Sequence, residues 1–405
     1  MKINQDVQNY IESIKEELDG LALAIHAHPE LGYQEFTAMN LVADLCEKHG
    51  LKVQRGYAGM ETAMRADAIG QPGGPTVAFL AEYDALAGCG ENGTAGHGCG
   101  HNLITECSVA AFLAMAQIIR NYKGNVCLIG TPAEESGGGK IDILANGGFD
   151  DVNYALMMHP SSGGTKANLV GRGGRAAGHV GVKFYGKAAH SSKPVNGINA
   201  LNGVISLFNH IDMLRPTFEP QDNINGIIPH GGAASNVIPE YADASFTVRA
   251  ETMHRIHELT ALIERCAKAA SELTGARYEM EIGSVSAERY PNRPLNQAFK
   301  DAMQAQGIEM VWPDPKMQYG SSDIGNVSIV MPIIHDYLSI TDDPSVQSHN
   351  YSYTVAACKP QALEVARKGG NGLANVAIKV LEDDVFRSEV DEYFKNQIPD
   401  FYKNK

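Results

Sequence analysis

The feature that most constrains this chain is an alternation of short apolar segments with longer helical ones over residues 1–174. TVAFLAEY (76–83), NVCLIG (125–130) and YALMM (154–158) have the length and apolar content of buried strands. Two helices are predicted before them, at 5–26 and 34–49, and a long apolar helix is predicted after the first strand. Strands that alternate with helices in this way indicate an α/β layer around a mostly parallel sheet.

The pattern changes near residue 175. The predicted elements there are a strand at GHVGVKFYG (178–186), a helix at 196–214, strands near 222–230 and 240–250, a helix at 253–273 and a strand near 277–284. This β-α-β-β-α-β order is the ferredoxin-like arrangement, which closes on itself and can be inserted into another domain. The chain then returns to helices and to a further predicted buried strand, NVSIVMP (326–332). We therefore expect a discontinuous α/β domain, 1–174 and 289–405, interrupted by an α+β domain, 175–288.

Length and charge narrow the class of protein. A chain of 405 residues exceeds one ordinary hydrophobic core, so two domains are expected. A net charge of −14 argues against nucleic acid or an anionic membrane as the main partner. No apolar run is expected to approach the roughly 20 residues of a membrane helix, and the charged N-terminus lacks a signal-peptide pattern. A cytoplasmic location and free thiols for the seven scattered cysteines follow as expectations.

Polar side chains that suit a metal site follow several of the predicted strands. They are Asp84 after the first strand, Cys99 and His101 at the end of a glycine-rich loop, Glu134 and Glu135 after the second strand, and His159 after the third. In open α/β sheets, the loops at the carboxyl ends of the strands form the ligand crevice. We therefore expect these groups to converge, although they lie up to 75 residues apart in the sequence.

The residue types at these strand ends are those that bind a divalent metal. Cysteine, histidine and glutamate are good ligands for zinc and tolerable ones for manganese. Cys99-Gly100-His101 places two ligands on one tight loop. In the Glu134-Glu135 pair, one carboxylate can bind metal while the other takes a proton from water.

Each of these signals also has an ordinary structural interpretation. Cys99 can be a small buried residue, and adjacent glutamates are common on solvated loops. His159 can be a hydrogen-bonded core histidine, and His349, in the polar segment SVQSHNYSYT, can be a surface histidine. The joint placement of several ligand types at neighbouring strand ends favours the metal site.

A series of motifs adds a family resemblance. In order, they are HAHPELGYQE, EYDAL, GCGHNL, TPAEESGGGK, MMHP, GKAAHSSKP, GGAASNVIPEYADASFTVRA and GSSDIGNVSIVMPIIH. Together they resemble the amidohydrolase branch of the two-metal aminoacylase, carboxypeptidase and dipeptidase family. The likeness runs from about residue 20 to 395 and is greatest to its β-alanyl-lysine dipeptidase and p-aminobenzoyl-glutamate hydrolase group.

The resemblance implies a function and a ligand set. It implies a metallopeptidase-type catalytic domain that hydrolyses an amide bond of a small N-acyl amino acid, dipeptide or p-aminobenzoyl-glutamate-like substrate. Two divalent ions, zinc or manganese, are implied, with Glu134 as general base. The family's metal ligands fall on Cys99, His101, Glu135, His159 and His349.

The resemblance also gives the inserted domain a role as a lid and dimerisation domain, so a homodimer is expected. His190 of GKAAH matches a histidine that reaches the scissile carbonyl, often in the partner subunit's site. Asn236 matches a residue that binds substrate, and Arg249 matches a substrate-binding arginine at the end of a lid strand that is expected to pair with a substrate carboxylate. Asp84 matches a carboxylate that orients metal ligands.

The chain departs from the family pattern in two places. Ala87 stands where many relatives have proline, and Gly98 stands where alanine is usual, in an extended glycine-rich loop at 87–101. We expect these changes to alter the rim of the pocket, but they replace no metal ligand. The alternative functions are carboxypeptidase action, arylamine deamination, metal binding without catalysis, and a redox role for the segment CGENGTAGHGC (89–99).

Overall fold

We describe residues 1–314 and 320–403 of the chain from a computed structural model. Its helices are α1 (Gln5–Ser13), α2 (Lys15–Ala27), α3 (Phe36–Lys48), α4 (His101–Ile118), α5 (Gly139–Ala145), α6 (Ala200–Leu214), α7 (Met253–Thr274), α8 (Arg293–Ala305), α9 (Ile324–Val330), α10 (Tyr351–Ala356), α11 (Pro360–Glu382), α12 (Asp384–Gln397) and α13 (Asp400–Lys403). Its strands are β1 (Val53–Arg55), β2 (Met64–Ile69), β3 (Gln71–Glu82), β4 (Lys123–Thr131), β5 (Tyr154–Ser161), β6 (Ala176–Tyr185), β7 (Ala189–His190), β8 (Asn223–His230), β9 (Val237–Ile238), β10 (Tyr241–Ala250), β11 (Arg277–Ser286) and β12 (Ile333–Ser339).

The chain forms two compact units. The first comprises Met1–Gly173 and Arg289–Lys405, and the second comprises Gly174–Glu288. The first boundary lies one residue before the position expected from the sequence, and the second lies at the expected position.

The first unit is built on a six-stranded sheet in the order β1-β2-β4-β3-β5-β12. β4, β3, β5 and β12 run parallel to one another, whereas β1 and β2 add antiparallel strands at one side. The prediction of an α/β unit with a mostly parallel sheet is thus confirmed. Because the four parallel strands share a direction, the residues that follow β3, β4 and β5 emerge at one edge of the sheet.

Helix α4 lies in the core of the first unit, where it packs against β3 and α11. The helical segment His101–Asn121 has a mean hydropathy of 1.5, so by length and composition it is apolar enough to cross a membrane. The expectation that no apolar run approaches this length is therefore wrong for this segment. However, 83% of the apolar window is buried inside the fold, as in the core helix of a globular protein.

One predicted strand is a helix. The segment 326–332 was expected to be a buried strand, but Ile324–Val330 form α9, and the strand β12 begins only at Ile333. The buried positions of α9 include Ile324, Val327 and Ser328, a spacing of three and four residues that places them on one helical face. In a segment this short, an apolar run rich in β-branched residues does not distinguish a buried strand from a helix. The predicted helix 5–26 is also divided, at Ile14, into α1 and α2.

The second unit has the ferredoxin-like arrangement that the sequence predicts. Its antiparallel four-stranded sheet has the order β11-β6-β10-β8, and α6 and α7 pack on it. Along β10, Ala242, Ala244, Phe246 and Val248 alternate with less buried residues and enter a separate hydrophobic core. A short antiparallel pair, β7 with β9, joins His190 to Val237.

Candidate metal centre and active site

The loop between Cys99 and His101 depends on Gly100. This residue has φ +74°, in the left-handed region, and a Cβ atom there would lie 2.7 Å from the Cγ atom of Pro160. Glycine therefore lets the loop approach the end of β5 closely, with Cys99 before the turn and His101 as the first residue of α4.

The unusual Gly98 is explained by its neighbour Cys89. A Cβ atom at Gly98 would lie 2.8 Å from both the Cβ and the Sγ atom of Cys89. The alanine that is usual in relatives would thus clash with a buried side chain of the extended loop. This departure reflects local packing and leaves the ligand positions unchanged.

Asp84 fixes the orientation of His101. Its Oδ1 accepts a hydrogen bond of 2.8 Å from His101 Nδ1, and its Oδ2 accepts one of 2.9 Å from the backbone N–H of Glu135. Burial acts to raise the pKa of Asp84, but His101 and the Glu135 N–H outweigh it and hold that pKa below its usual value. Because Nδ1 of His101 carries the shared proton, its Nε2 is left as the free nitrogen that a metal ion requires.

The candidate ligand atoms have separations that suit a metal site. Cys99 Sγ lies 3.5 Å from His159 Nε2, and Glu135 Oε1 lies 3.8 Å from His101 Nε2 and 3.7 Å from His349 Nε2. Ligands at bond lengths of roughly 2.0–2.3 Å around a tetrahedral ion are about 3.3–3.8 Å apart. Cys99, His101 and His159 form one group of close ligand atoms, and Cys99, Glu135 and His349 form another.

Two of these atoms are buried without a hydrogen-bond partner among the residues that the structure describes. They are His101 Nε2 and Glu135 Oε1. An unpaired buried acceptor is costly, and both atoms lie at the point where a cation would satisfy them. His159 is oriented in the same manner as His101, because its Nδ1 donates to the carbonyl oxygen of Pro160 at 2.7 Å. The residues present therefore fit divalent metal ions.

His349 reaches the group from a different part of the chain. It lies in the loop before α10 and has φ +63°, a left-handed conformation in which histidine is more frequent than most residues. Its backbone N–H donates to the carbonyl oxygen of Gly98 at 2.8 Å, which joins the two loops.

Glu134 lies beside this ligand group, in the loop after β4. The preceding residue, Ala133, has φ +56°, and its N–H donates to the buried carboxylate of Glu35 at 2.7 Å. Burial, followed by the negative charges of Glu82, Glu135 and Asp323, raises the pKa of Glu134 well above its usual value. Such an environment makes Glu134 a strong proton acceptor.

A buried charge network that we did not predict lies next to Glu134. Lys140 Nζ donates to Asp323 Oδ1 at 2.7 Å and forms an ion pair with Glu82 Oε1 at 2.5 Å, and all three side chains are fully buried. The backbone N–H of Lys140 also donates to Asp323 Oδ2 at 2.9 Å. Carboxylate oxygens of Glu82, Glu134 and Asp323 lie within 4.8 Å of one another. Each network residue is a charge in or beside a glycine-rich or apolar motif, but no sequence pattern pairs these residues with one another.

The remaining predicted residues belong to the second unit. His190 is exposed on β7, and its Nδ1 accepts hydrogen bonds from the N–H and the hydroxyl of Ser192, at 3.1 and 2.8 Å. Asn236 lies close to it, since its carbonyl oxygen accepts from the Ser191 N–H at 3.0 Å. Arg249 is exposed at the far end of β10, opposite Ala177 of β6.

Comparison with known proteins agrees with this geometry. The chain matches Peptidase family M20/M25/M40 over residues 78–366. It is 34% identical over 389 residues to the Xaa-Arg dipeptidase of Mus musculus, which spans 92% of this chain and 87% of that protein. It is 29% identical over 317 residues to a component of the p-aminobenzoyl-glutamate hydrolase of Escherichia coli strain K12, over 75% of this chain and 65% of that protein.

Solved structures show the same fold. The aminobenzoyl-glutamate utilization protein of Klebsiella pneumoniae is similar with a TM-score of 0.68 and 20% identity, over 88% of this chain and 98% of that one. A dinuclear metal binding peptidase of the M20 family from Bacillus subtilis has a TM-score of 0.66 and 20% identity, over 92% and 99% of the two chains. The chain therefore belongs to Peptidase family M20/M25/M40 and is a hydrolytic enzyme.

Proposed function

We propose that this enzyme hydrolyses the amide bond of a small N-acyl amino acid, dipeptide or p-aminobenzoyl-glutamate-like substrate. The observation that carries the proposal is the ligand group beside Glu134, in which two buried ligand atoms have no partner among the described residues. The relatives support this substrate class, since they include an Xaa-Arg dipeptidase, a p-aminobenzoyl-glutamate hydrolase and an N-acetyl-L-cysteine deacetylase.

In this proposal, the chain holds two divalent ions, zinc or manganese. The ligands would be Cys99, His101, Glu135, His159 and His349, with Asp84 holding His101 in place. When bound, such ions lower the pKa of water and polarise a substrate carbonyl. Glu134 would accept the proton of the attacking water and pass it to the leaving amine.

His190 would stabilise the oxyanion that forms on the scissile carbonyl. Because its Nδ1 accepts from the Ser192 N–H, a neutral His190 carries its proton on Nε2 and can donate from there. A donor aimed at developing negative charge contributes to lowering the barrier. Asn236 and Arg249 of the same unit would bind the substrate, and the unit would act as a lid and a dimerisation surface.

A substrate screen tests the proposed function. The metal-reconstituted enzyme would be incubated with dipeptides, N-acyl amino acids and p-aminobenzoyl-glutamate, and free amino acid and ammonia would be quantified separately. We expect a primary amine or arylamine product together with the free acid, and no ammonia. Release of ammonia would support arylamine deamination, and metal binding with no product would support a protein that lacks catalysis.

Removal of histidine ligands should reduce metal binding. We expect wild type to retain two ions per chain after metal loading and desalting, and His159→Ala and His349→Ala each to retain fewer, with activity reduced at least about 100-fold. Elemental analysis gives the metal content. His49→Ala, at a histidine that pairs with Tyr10 and Glu17 outside the site, is the matched control. Full metal content and activity in both ligand variants would refute the assignment.

His190 should act on the active site of a partner subunit. His190→Ala and Glu134→Gln would each be inactive alone, but a mixed dimer would contain one site with both residues intact. We therefore expect activity to return when the two variants are mixed under conditions in which subunits exchange. Separately tagged variants would allow mixed dimers to be purified. Lack of activity in purified mixed dimers would mean that His190 serves its own chain or has no catalytic part.

A further inference from the structure

The segment HAHPELGYQE (26–35) ends in a buried carboxylate that the proposed mechanism does not use. Glu35 is 0% exposed, and its Oε1 accepts a hydrogen bond of 2.7 Å from the N–H of Ala133. We infer that Glu35 is a positioning residue for Glu134: it holds the backbone of Ala133 and thereby places the carboxylate that takes a proton from water. The inference rests on the proposed function, because it takes Glu134 as the general base.

The first argument is the backbone conformation of Ala133. Its φ of +56° lies in the left-handed region, which is disfavoured for a residue with a Cβ atom and persists only where the surroundings hold it. The carbonyl oxygen of Ala133 accepts from the N–H groups of Gly137 and Gly138, at 3.0 and 2.8 Å, and its N–H donates to Glu35. Of these three hydrogen bonds, only the one to Glu35 connects Ala133 to a distant part of the chain.

The second argument is the symmetry of the restraints on either side of Glu134. The N–H of Ala133 donates to Glu35, and the N–H of Glu135 donates to Asp84 Oδ2 at 2.9 Å. Both residues that flank Glu134 are therefore held by a buried carboxylate from another loop. A general base must lie within hydrogen-bond reach of the proton that it takes, so fixing both neighbours favours the reactive position of Glu134.

The third argument is the close packing of the two segments. A Cβ atom at Gly32 would lie 2.9 Å from the Cβ atom of Ala133 and closer still to the hydroxyl of Ser136. The hydroxyl of Tyr33 donates to Asp142 Oδ2 at 2.8 Å, just beyond the loop that carries Glu134. Glu35 thus belongs to a segment that is packed against this loop, and its carboxyl group can support Ala133 as a fixed acceptor.

The burial of Glu35 is explained by this hydrogen bond. Burial raises the pKa of Glu35 to about 7, although the hydrogen bonds of its carboxyl group act to lower it. A carboxyl group is costly to bury where an apolar side chain could pack, so its value here is the acceptor that it supplies. A carboxyl group keeps an acceptor oxygen whether or not it is protonated. The amide oxygen of glutamine can therefore replace it.

Three replacements of Glu35 separate its hydrogen bond from its size. Glu35→Leu removes the acceptor, so we expect kcat to fall about 10- to 100-fold with KM within about 3-fold and metal content unchanged. Glu35→Gln keeps an acceptor oxygen and should retain kcat within about 3-fold of wild type. Glu35→Asp withdraws the carboxyl group by one methylene and should lower kcat at least about 5-fold. This variant provides the test if Glu35→Leu does not fold.

The same segment offers a matched control. The carboxylate of Glu30 accepts from the N–H groups of Thr37 and Ala38 at the start of α3, both at 3.0 Å. Glu30→Leu removes these bonds, so it should lower Tm while leaving kcat within about 2-fold of wild type. Loss of metal content in Glu35→Leu would assign Glu35 to the support of the ligands rather than of Glu134 and would overturn the inference.

A double variant tests whether Glu35 acts through Ala133. Glycine adopts a positive φ without the steric cost that alanine has. In an Ala133→Gly background, the loss of kcat caused by Glu35→Leu should therefore be at least about 3-fold smaller than in the wild-type background. An equal loss in the two backgrounds would contradict a role through the conformation of Ala133.

Hydrogen–deuterium exchange distinguishes failure of this inference from failure of the proposed function. In metal-loaded Glu35→Leu, the segment 131–138 should exchange at least about 10-fold faster than in wild type, whereas Glu35→Gln and Glu30→Leu should match wild type there. Unchanged exchange, or faster exchange with an unchanged kcat, would overturn the positioning role even in an active amidohydrolase. Faster exchange in an enzyme that hydrolyses none of the screened amides would support the hold of Glu35 on the loop and refute the proposed reaction.

Discussion

Glu134→Gln is expected to lower kcat by about 100- to 10,000-fold, the usual contribution of a general base. Glutamine keeps the size of the side chain and removes its basicity, so the loss measures proton transfer rather than packing. Glu134 is surrounded by the carboxylates of Glu82 and Asp323, and replacing one negative charge there with a neutral amide should not destabilise the fold. Steady-state kinetics on the best substrate of the screen measure kcat. Thermal melting and metal analysis show whether the variant keeps its fold and its metal content.

The neighbouring carboxylate supplies the matched control for this experiment. Glu135 Oε1 lies close to both His101 and His349, so Glu135→Gln should lose metal as well as activity. Glu91→Gln, at an exposed glutamate of the glycine-rich loop 87–101, should change neither. A Glu134→Gln enzyme within a factor of two of wild type, at equal metal content, would show that another group takes the proton.

The parts of the site that could be predicted are those governed by strand direction. Asp84 and Glu134 follow parallel neighbouring strands, so the sheet brings them to one edge although they lie far apart in sequence. The hydrogen bonds of Asp84 to His101 and to the Glu135 backbone join these strand ends. The alternation of strands and helices was sufficient to predict that these residues converge, because the carboxyl ends of parallel strands lie at the same edge of the sheet.

Two residues near the site, His335 and Tyr337, were missed because one strand was assigned to the wrong segment. Placing the strand at 326–332 put its end before His335, so His335 and Tyr337 were not recognised as strand residues near the site. In the structure they lie within β12, whose pairing with β5 sets Tyr337 opposite His159. The local sequence favours a strand both at 326–332 and at 333–339. Only the burial of one face of α9 identifies the first of these segments as mainly helical. Sequence periodicity in a seven-residue segment carries too little information for that decision.

The buried charge network was missed for a different reason. Lys140 and Asp323 are 183 residues apart, and neither lies in a pattern that identifies a partner. A lysine in a glycine-rich loop is ordinarily solvated, and only tertiary structure removes it from water. Long-range pairing of isolated charges is set by the fold, so it becomes visible only when the fold is known.

Lys140→Met is expected to destabilise the first unit by about 3–5 kcal/mol, the usual cost of removing one partner from a buried ion pair. Methionine retains much of the volume of lysine, so the loss would come mainly from leaving Glu82 and Asp323 without their cation. Urea unfolding monitored by circular dichroism measures the change in the free energy of unfolding. Lys15→Met, which breaks an exposed ion pair with Glu12, is the control and should cost less than about 1 kcal/mol.

The pH dependence of this loss provides a second check. Burial raises the pKa of Asp323 in the folded protein even with Lys140 present, and removal of the cation should raise it further. A carboxyl group whose folded pKa exceeds its unfolded value loses stability as pH rises through that interval. The difference between wild type and Lys140→Met should therefore be smaller at acidic pH than at alkaline pH. If Lys140→Met is as stable as wild type at alkaline pH, the carboxylates of Glu82 and Asp323 are neutral or solvated. In that case the ion pairs of Lys140 do not stabilise the buried network beside Glu134.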